Sequence, residues 1–253
     1  MFKITIVSLL LFTSNLYAQV FLPEFQDNEV KILYEHNYVI ISHATRKWDE
    51  DDSSRAGVQA LARFANLFRI TSLAAVHEGA TTDPREAGDY FVSQKDVNHV
   101  YVSGAGQHKI RYVQARNIFI AGGNLTLCLC ETIRDIVRGA RIPRQRPLNL
   151  YLVQDAIYDW DSSFDPITAN TVDRFVASYI LPDFLCPDQN WYNFPPVRLN
   201  KVKLAIYNEN RLLKTYDLTP NDQVPLNQLS KTINIKIISS KNLQRAYAEL
   251  IRK

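Results

Sequence analysis

Cys128 is the residue of this sequence best placed to act as a nucleophile. It follows the glycine turn Ala121-Gly122-Gly123-Asn124. Leu125, Leu129, Ile133, Ile136 and Val137 then recur at helical spacing, which predicts a helix over about 125–139 with Gly139 at its end. A thiol in the first turn of a helix feels the positive end of the helix dipole. That lowers its pKa and favours the thiolate, the form that attacks carbon. The Gly-Gly-Asn turn offers backbone N–H groups that could hold an oxyanion. The competing reading of Cys128 is a buried small apolar residue or half of a disulfide.

The elements around it predict where other reactive groups should gather. Residues 38–45, 70–77, 117–121 and 148–153 are short apolar runs of buried-strand type. Between them lie helical stretches at about 55–68 and 125–139, and another follows at about 168–180. Short extended pieces are expected near 90–92 and 99–102. Strands alternating with helices imply a parallel sheet covered on both faces, a three-layer α/β sandwich. Ligands of such sheets bind beyond the carboxyl ends of the strands. His43 follows the first strand, His77 and Glu78 the second, Cys128 the third and Asp155 the fourth. His77, Gly123, Asn124 and Asp155 are therefore the expected substrate-binding residues. His43 and His77 with Cys128 would suit zinc, but three ligands on three loops have no local spacing signal. No metal or cofactor is assigned.

The chain changes character near Pro182. Residues 182–200 are rich in Pro, Asn and aromatics and read as a linker. Alternating strands are expected over 201–207, 212–218 and 232–238, and the tail from Ala246 suits strand or helix, with strand the preferred reading. The expected division is thus residues 1–18, an α/β domain over 19–181, the linker, and a small C-terminal β-rich module over 201–253.

Residues 1–18 read as a secretory signal peptide: a single positive charge at Lys3, an apolar run over 4–12, and Ala18 at the cut. The mature protein, of about 235 residues, is expected to be secreted or periplasmic, with no transmembrane segment. A net charge of +3 is too small to argue for nucleic acid. The Asn124-Leu125-Thr126 sequon falls in a turn expected to be buried. In an oxidising compartment the three cysteines acquire weight: Cys186 could pair with Cys128 or Cys130, leaving one thiol over.

The stretch AGGNLTLCLCETIRD resembles the nucleophile segment of the isochorismatase-like cysteine hydrolases. Ala121, Gly122, Cys128, Thr132, Arg134 and Asp135 match that pattern without a gap, and the order of elements fits from about residue 37 to 160. The resemblance implies hydrolysis of an amide or related bond by an Asp-Lys-Cys triad, with Cys128 as nucleophile. At the end of the first strand, where the family carries its Asp, this chain has Ser42-His43-Ala44-Thr45. His43 and Lys95 are the residues expected to assist. The alternative from another class is a non-catalytic exported protein that uses the fold and its β-rich module to bind a protein or carbohydrate partner.

Overall fold

Every main strand but one runs in the same direction. In the computed structural model the described residues are 29–31, 37–42, 52–76, 99–103, 109–111, 115–126, 128–139, 147–158, 165–182, 201–218 and 230–252. The expected signal peptide, residues 183–200 of the linker, Lys95, His43, His77 and Cys186 lie outside them. Two short strands, β1 (Glu29–Lys31) and β5 (Lys109–Arg111), form a parallel pair of their own. The main sheet has eight strands: β2 (Asn37–Ser42), β3 (Ser72–Val76), β4 (His99–Ser103), β6 (Asn117–Ala121), β7 (Leu148–Val153), β8 (Lys201–Asn208), β9 (Arg211–Leu218) and β10 (Ser230–Ile238). Their spatial order is β4-β3-β2-β6-β7-β10-β8-β9, and only the β8–β9 pair is antiparallel. Its first six positions are those of a doubly wound α/β sheet.

Among the described residues, four helices cover this sheet: α1 (Asp52–Phe68), α2 (Cys128–Gly139), α3 (Ala169–Phe175, running on into a π-type turn Val176–Ile180) and α4 (Leu243–Ile251). The period of two along each strand assigns them to faces. Tyr38, Ile40, Ile118, Ile120, Leu150 and Leu152 share one buried cluster with Leu129 and Ile133 of α2 and Val172 and Phe175 of α3. Val39, Ile41, Phe119, Tyr151 and Val153 belong to a second, with Leu61 and Phe64 of α1 and Leu243 of α4. The three layers expected from the sequence are present. The β-rich C-terminal segment is present too, and its strands continue the main sheet, with β10 seated between β7 and β8.

The tail is the main correction. It was expected as strand, but α4 is a helix. Leu243, Ala246, Tyr247 and Leu250 recur at helical spacing and pack on α1 and the second cluster. Tyr247 stands edge-on to Phe64, with ring centroids 5.4 Å apart. Among the described residues, no helix is long and apolar enough to cross a membrane.

An asparagine ladder crosses the amino end of the sheet. Asn37, Asn117, Asn149 and Asn234 are register partners on the adjacent strands β2, β6, β7 and β10. The Nδ2 of Asn117 donates to Oδ1 of Asn37, that of Asn149 to Asn117, and that of Asn234 to Asn149, each at 2.9 Å. Asn37 in turn donates to the Tyr247 hydroxyl at 3.5 Å. A slip of one residue in any of these pairings would break the ladder and turn the strand's apolar residues to the other face. Asn117 is the most enclosed of the four, and it both donates and accepts. Asn117→Ala should therefore cost about 2 kcal/mol, because it orphans a donor on Asn149 and an acceptor on Asn37. Asn234→Ala, at the open end, should cost about 1 kcal/mol or less. Urea denaturation of both variants measures the difference.

Candidate active site

The chain leaves β2 towards β3 on one side and leaves β6 towards β7 on the other. Neighbouring strands whose connections part in this way open a crevice at their carboxyl ends. β2 and β6 are such neighbours, in parallel register from Asn37↔Asn117 to Ile41↔Ala121. The Gly122-Gly123-Asn124 turn leaves β6 at that crevice, and α2 begins at Cys128. His43 follows directly on the last residue of β2. The order of elements thus places the start of α2 at this crevice. The side chains of Cys128, His43, His77 and Lys95 lie outside the described residues.

The turn has a definite geometry. Gly122 and Gly123 take φ of 79° and 71°, a left-handed conformation that residues with a Cβ adopt only at a cost. Three of the local N–H groups are engaged. Gly122 donates to the Ala156 carbonyl at 2.7 Å, Leu125 to the Tyr158 carbonyl at 3.0 Å, and Thr126 to Oδ1 of Asn124 at 2.8 Å. The N–H groups of Gly123 and Asn124 make no hydrogen bond among the described residues. Asn124 is buried, as its turn was expected to be. Its Nδ2 is enclosed without a hydrogen-bond partner among the described residues. Its carbonyl accepts from the Leu129 N–H at 3.1 Å, which ties the turn to the first turn of α2.

Asp155 is close by in sequence logic but engaged elsewhere. One carboxylate oxygen accepts from the Ser240 N–H at 2.7 Å and the other from the Ser240 hydroxyl. It caps the turn that starts α4. α1 approaches the same segment through Gly57, where an added Cβ would lie 2.4 Å from the Asp155 carbonyl oxygen. Cys130, two residues after Cys128, is buried. Among the described residues, no cluster of His, Cys, Asp and Glu has the makings of a metal site.

A second group of polar residues escaped the sequence reading. Tyr151, Lys236, Glu209, Arg245 and Glu249 line a cavity of about 60 Å³ between the sheet and α4. They come from β7, β10, α4 and the β8–β9 turn, so no local motif announces them. The groups largely satisfy one another. Glu209 accepts from Asn242 at 2.6 Å and Arg245 at 3.3 Å, and Lys236 Nζ stands 3.4 Å from the Tyr151 hydroxyl. Burial, reinforced by the negative charge of Glu249, pushes the Tyr151 pKa from 10.0 to about 12.

Comparison with known proteins adds little. No family model and no curated protein matches the chain. Among solved structures, the MAR1 ribonuclease of Caenorhabditis elegans matches 51% of this chain and 67% of its own at 13% identity, with a TM-score of 0.34.

The Tyr151 shift has a consequence for stability. A folded pKa above the unfolded one means that the folded state holds the proton more tightly. The contribution is complete below pH 10 and is lost as pH rises towards 12. Relative to Tyr151→Phe, which has no such proton, the native protein should lose about 1 kcal/mol between pH 9 and 11. Denaturant midpoints of both proteins across that range provide the check.

Proposed function

We propose that this chain is an exported cysteine hydrolase of the isochorismatase-like kind, acting on a small amide or related bond with Cys128 as nucleophile. One observation carries the reading. The helix after the crevice-forming strand opens at Cys128, directly beyond a double-glycine turn, at the place where α/β sheets bind ligands. A thiolate there is favoured by the helix dipole.

In the proposed reaction the Cys128 sulfur attacks the carbonyl carbon, forming a thioester as the C–N or C–O bond breaks. The N–H groups of Gly123 and Asn124 are the candidates to steady the oxyanion, since those of Gly122, Leu125 and Thr126 already have acceptors. His43 or Lys95 would supply the proton to the leaving group. Water then releases the acid and regenerates the thiol. The engagement of Asp155 with Ser240 favours the other reading, a non-catalytic binding protein that keeps the fold, because it occupies one of the expected substrate-binding groups.

Acylation separates the two. Incubated with p-nitrophenyl acetate, the native protein should acquire an acetyl group on Cys128, located by peptide mass mapping. Cys128→Ser should lower the release of nitrophenol by roughly a hundredfold or more. Absence of the adduct, or an unchanged rate in Cys128→Ser, would refute the hydrolase.

A further inference from the structure

The chain parts at a second pair of strands. β7 and β10 are parallel neighbours, but β7 leads to α3 on one face of the sheet and β10 to α4 on the other. α/β sheets bind ligands at the carboxyl ends of strands that part in this way. The cavity of about 60 Å³ between the sheet and α4 lies beside these ends: Ile238 closes β10, and Glu209 follows directly on β8. At about 10–15 Å³ for one water, it has room for a molecule of about five or six non-hydrogen atoms.

The charged groups around it differ in how they are engaged. Glu209 pairs with Arg245 at 3.3 Å and accepts from Asn242, so this wall carries no net charge. Glu209 holds a φ of 52°, a left-handed backbone rare for a residue with a Cβ, and strain of this kind gathers at ligand sites. The inner end is a pair of donors. Lys236 is the register partner of Tyr151, and its ammonium lies 3.4 Å from the Tyr151 hydroxyl. Tyr151 is only 3% exposed. Its hydroxyl accepts from Lys236, and its own proton has no acceptor among the described residues. With its pKa pushed up to about 12, Tyr151 keeps that proton at neutral pH. At the outer rim stands Glu249, which is exposed. It accepts from Asn210 at 3.4 Å and forms no ion pair among the described residues. Ile238, Ala246 and Leu250 supply the apolar lining.

We propose that this cavity binds a small zwitterionic amino acid, of glycine or alanine size. Its carboxylate faces the Lys236 ammonium and the Tyr151 hydroxyl, two donors side by side at the inner end. Its ammonium faces the Glu249 carboxylate at the rim. Charge-assisted hydrogen bonds at both ends give the recognition. A simple anion would gain the inner donors but meet Glu249, and a simple cation would gain Glu249 but meet Lys236. The volume limits the ligand's side chain to a hydrogen or a methyl group, which the apolar lining accommodates. This site is separate from the crevice between β2 and β6, and it stands whether or not Cys128 is a nucleophile.

Isothermal titration calorimetry of the full chain with glycine and L-alanine tests this. Each should bind saturably, one molecule per chain. Acetate and methylammonium each carry half of the recognition and should bind about tenfold weaker or less. L-Leucine should be excluded by size. Lys236→Met and Glu249→Gln should each weaken glycine binding about tenfold or more. Glu249 is exposed, so Glu249→Gln keeps the fold, and circular dichroism matching the native protein verifies this for both variants. In the native protein, glycine should shift the amide NMR signals of Tyr151, Lys236 and Glu249 and their chain neighbours. No saturable binding of either amino acid, acetate or leucine binding as tightly as glycine, or native affinity in both variants would overturn the proposal.

Discussion

The three-residue turn at the end of β7 holds the carboxyl edge of the sheet together. The Ala156 carbonyl takes the Gly122 N–H and so fixes the double-glycine turn after β6. The Asp155 carboxylate caps the start of α4 through Ser240. The Asp155 carbonyl is the surface against which α1 rests at Gly57, a position with no room for a side chain. One short segment thus positions a helix from the first half of the chain, the turn that precedes Cys128, and the last helix. It orders the pieces around the candidate site.

The opposite edge is fixed by different means. The asparagine ladder joins β2, β6, β7 and β10 side chain to side chain, and its hydrogen bonds span sequence separations of 80, 32 and 85 residues. Each bond has modest net value. Their joint effect is on register, since four strands share one alignment. With register set at the amino end, the carboxyl ends of β2 and β6 emerge level.

Much of this was legible in the sequence. The central strands are buried on both faces, so they read as unbroken apolar runs, and their bounds are close to those expected. α2 was placed correctly but starts three residues later than its apolar stripe suggested. Leu125 and Asn124 are drawn into a bridge with Tyr158 before the helix begins. The C-terminal helix was missed because reading the tail from Ala246 hid Leu243, its first buried residue. The insertion of β10 between β7 and β8 was not legible, since apolar patterning identifies strands without ordering them. Nor was the engagement of Asp155, which depends on a serine 85 residues away. The ladder did leave a trace, an Asn in each of four apolar strands, but isolated Asn residues have no pattern until the strands are neighbours.

The central claim is that the crevice between β2 and β6 presents Cys128 as a thiolate at the head of α2. The rate of iodoacetamide alkylation at Cys128, followed by peptide mass mapping across pH, measures this directly. Buried Cys130 serves as an internal reference expected to react slowly. A midpoint for Cys128 about one unit or more below the ordinary thiol value of about 8.5 is expected. A midpoint at or above that value, or a Cys128 locked in a disulfide with Cys186, would contradict it.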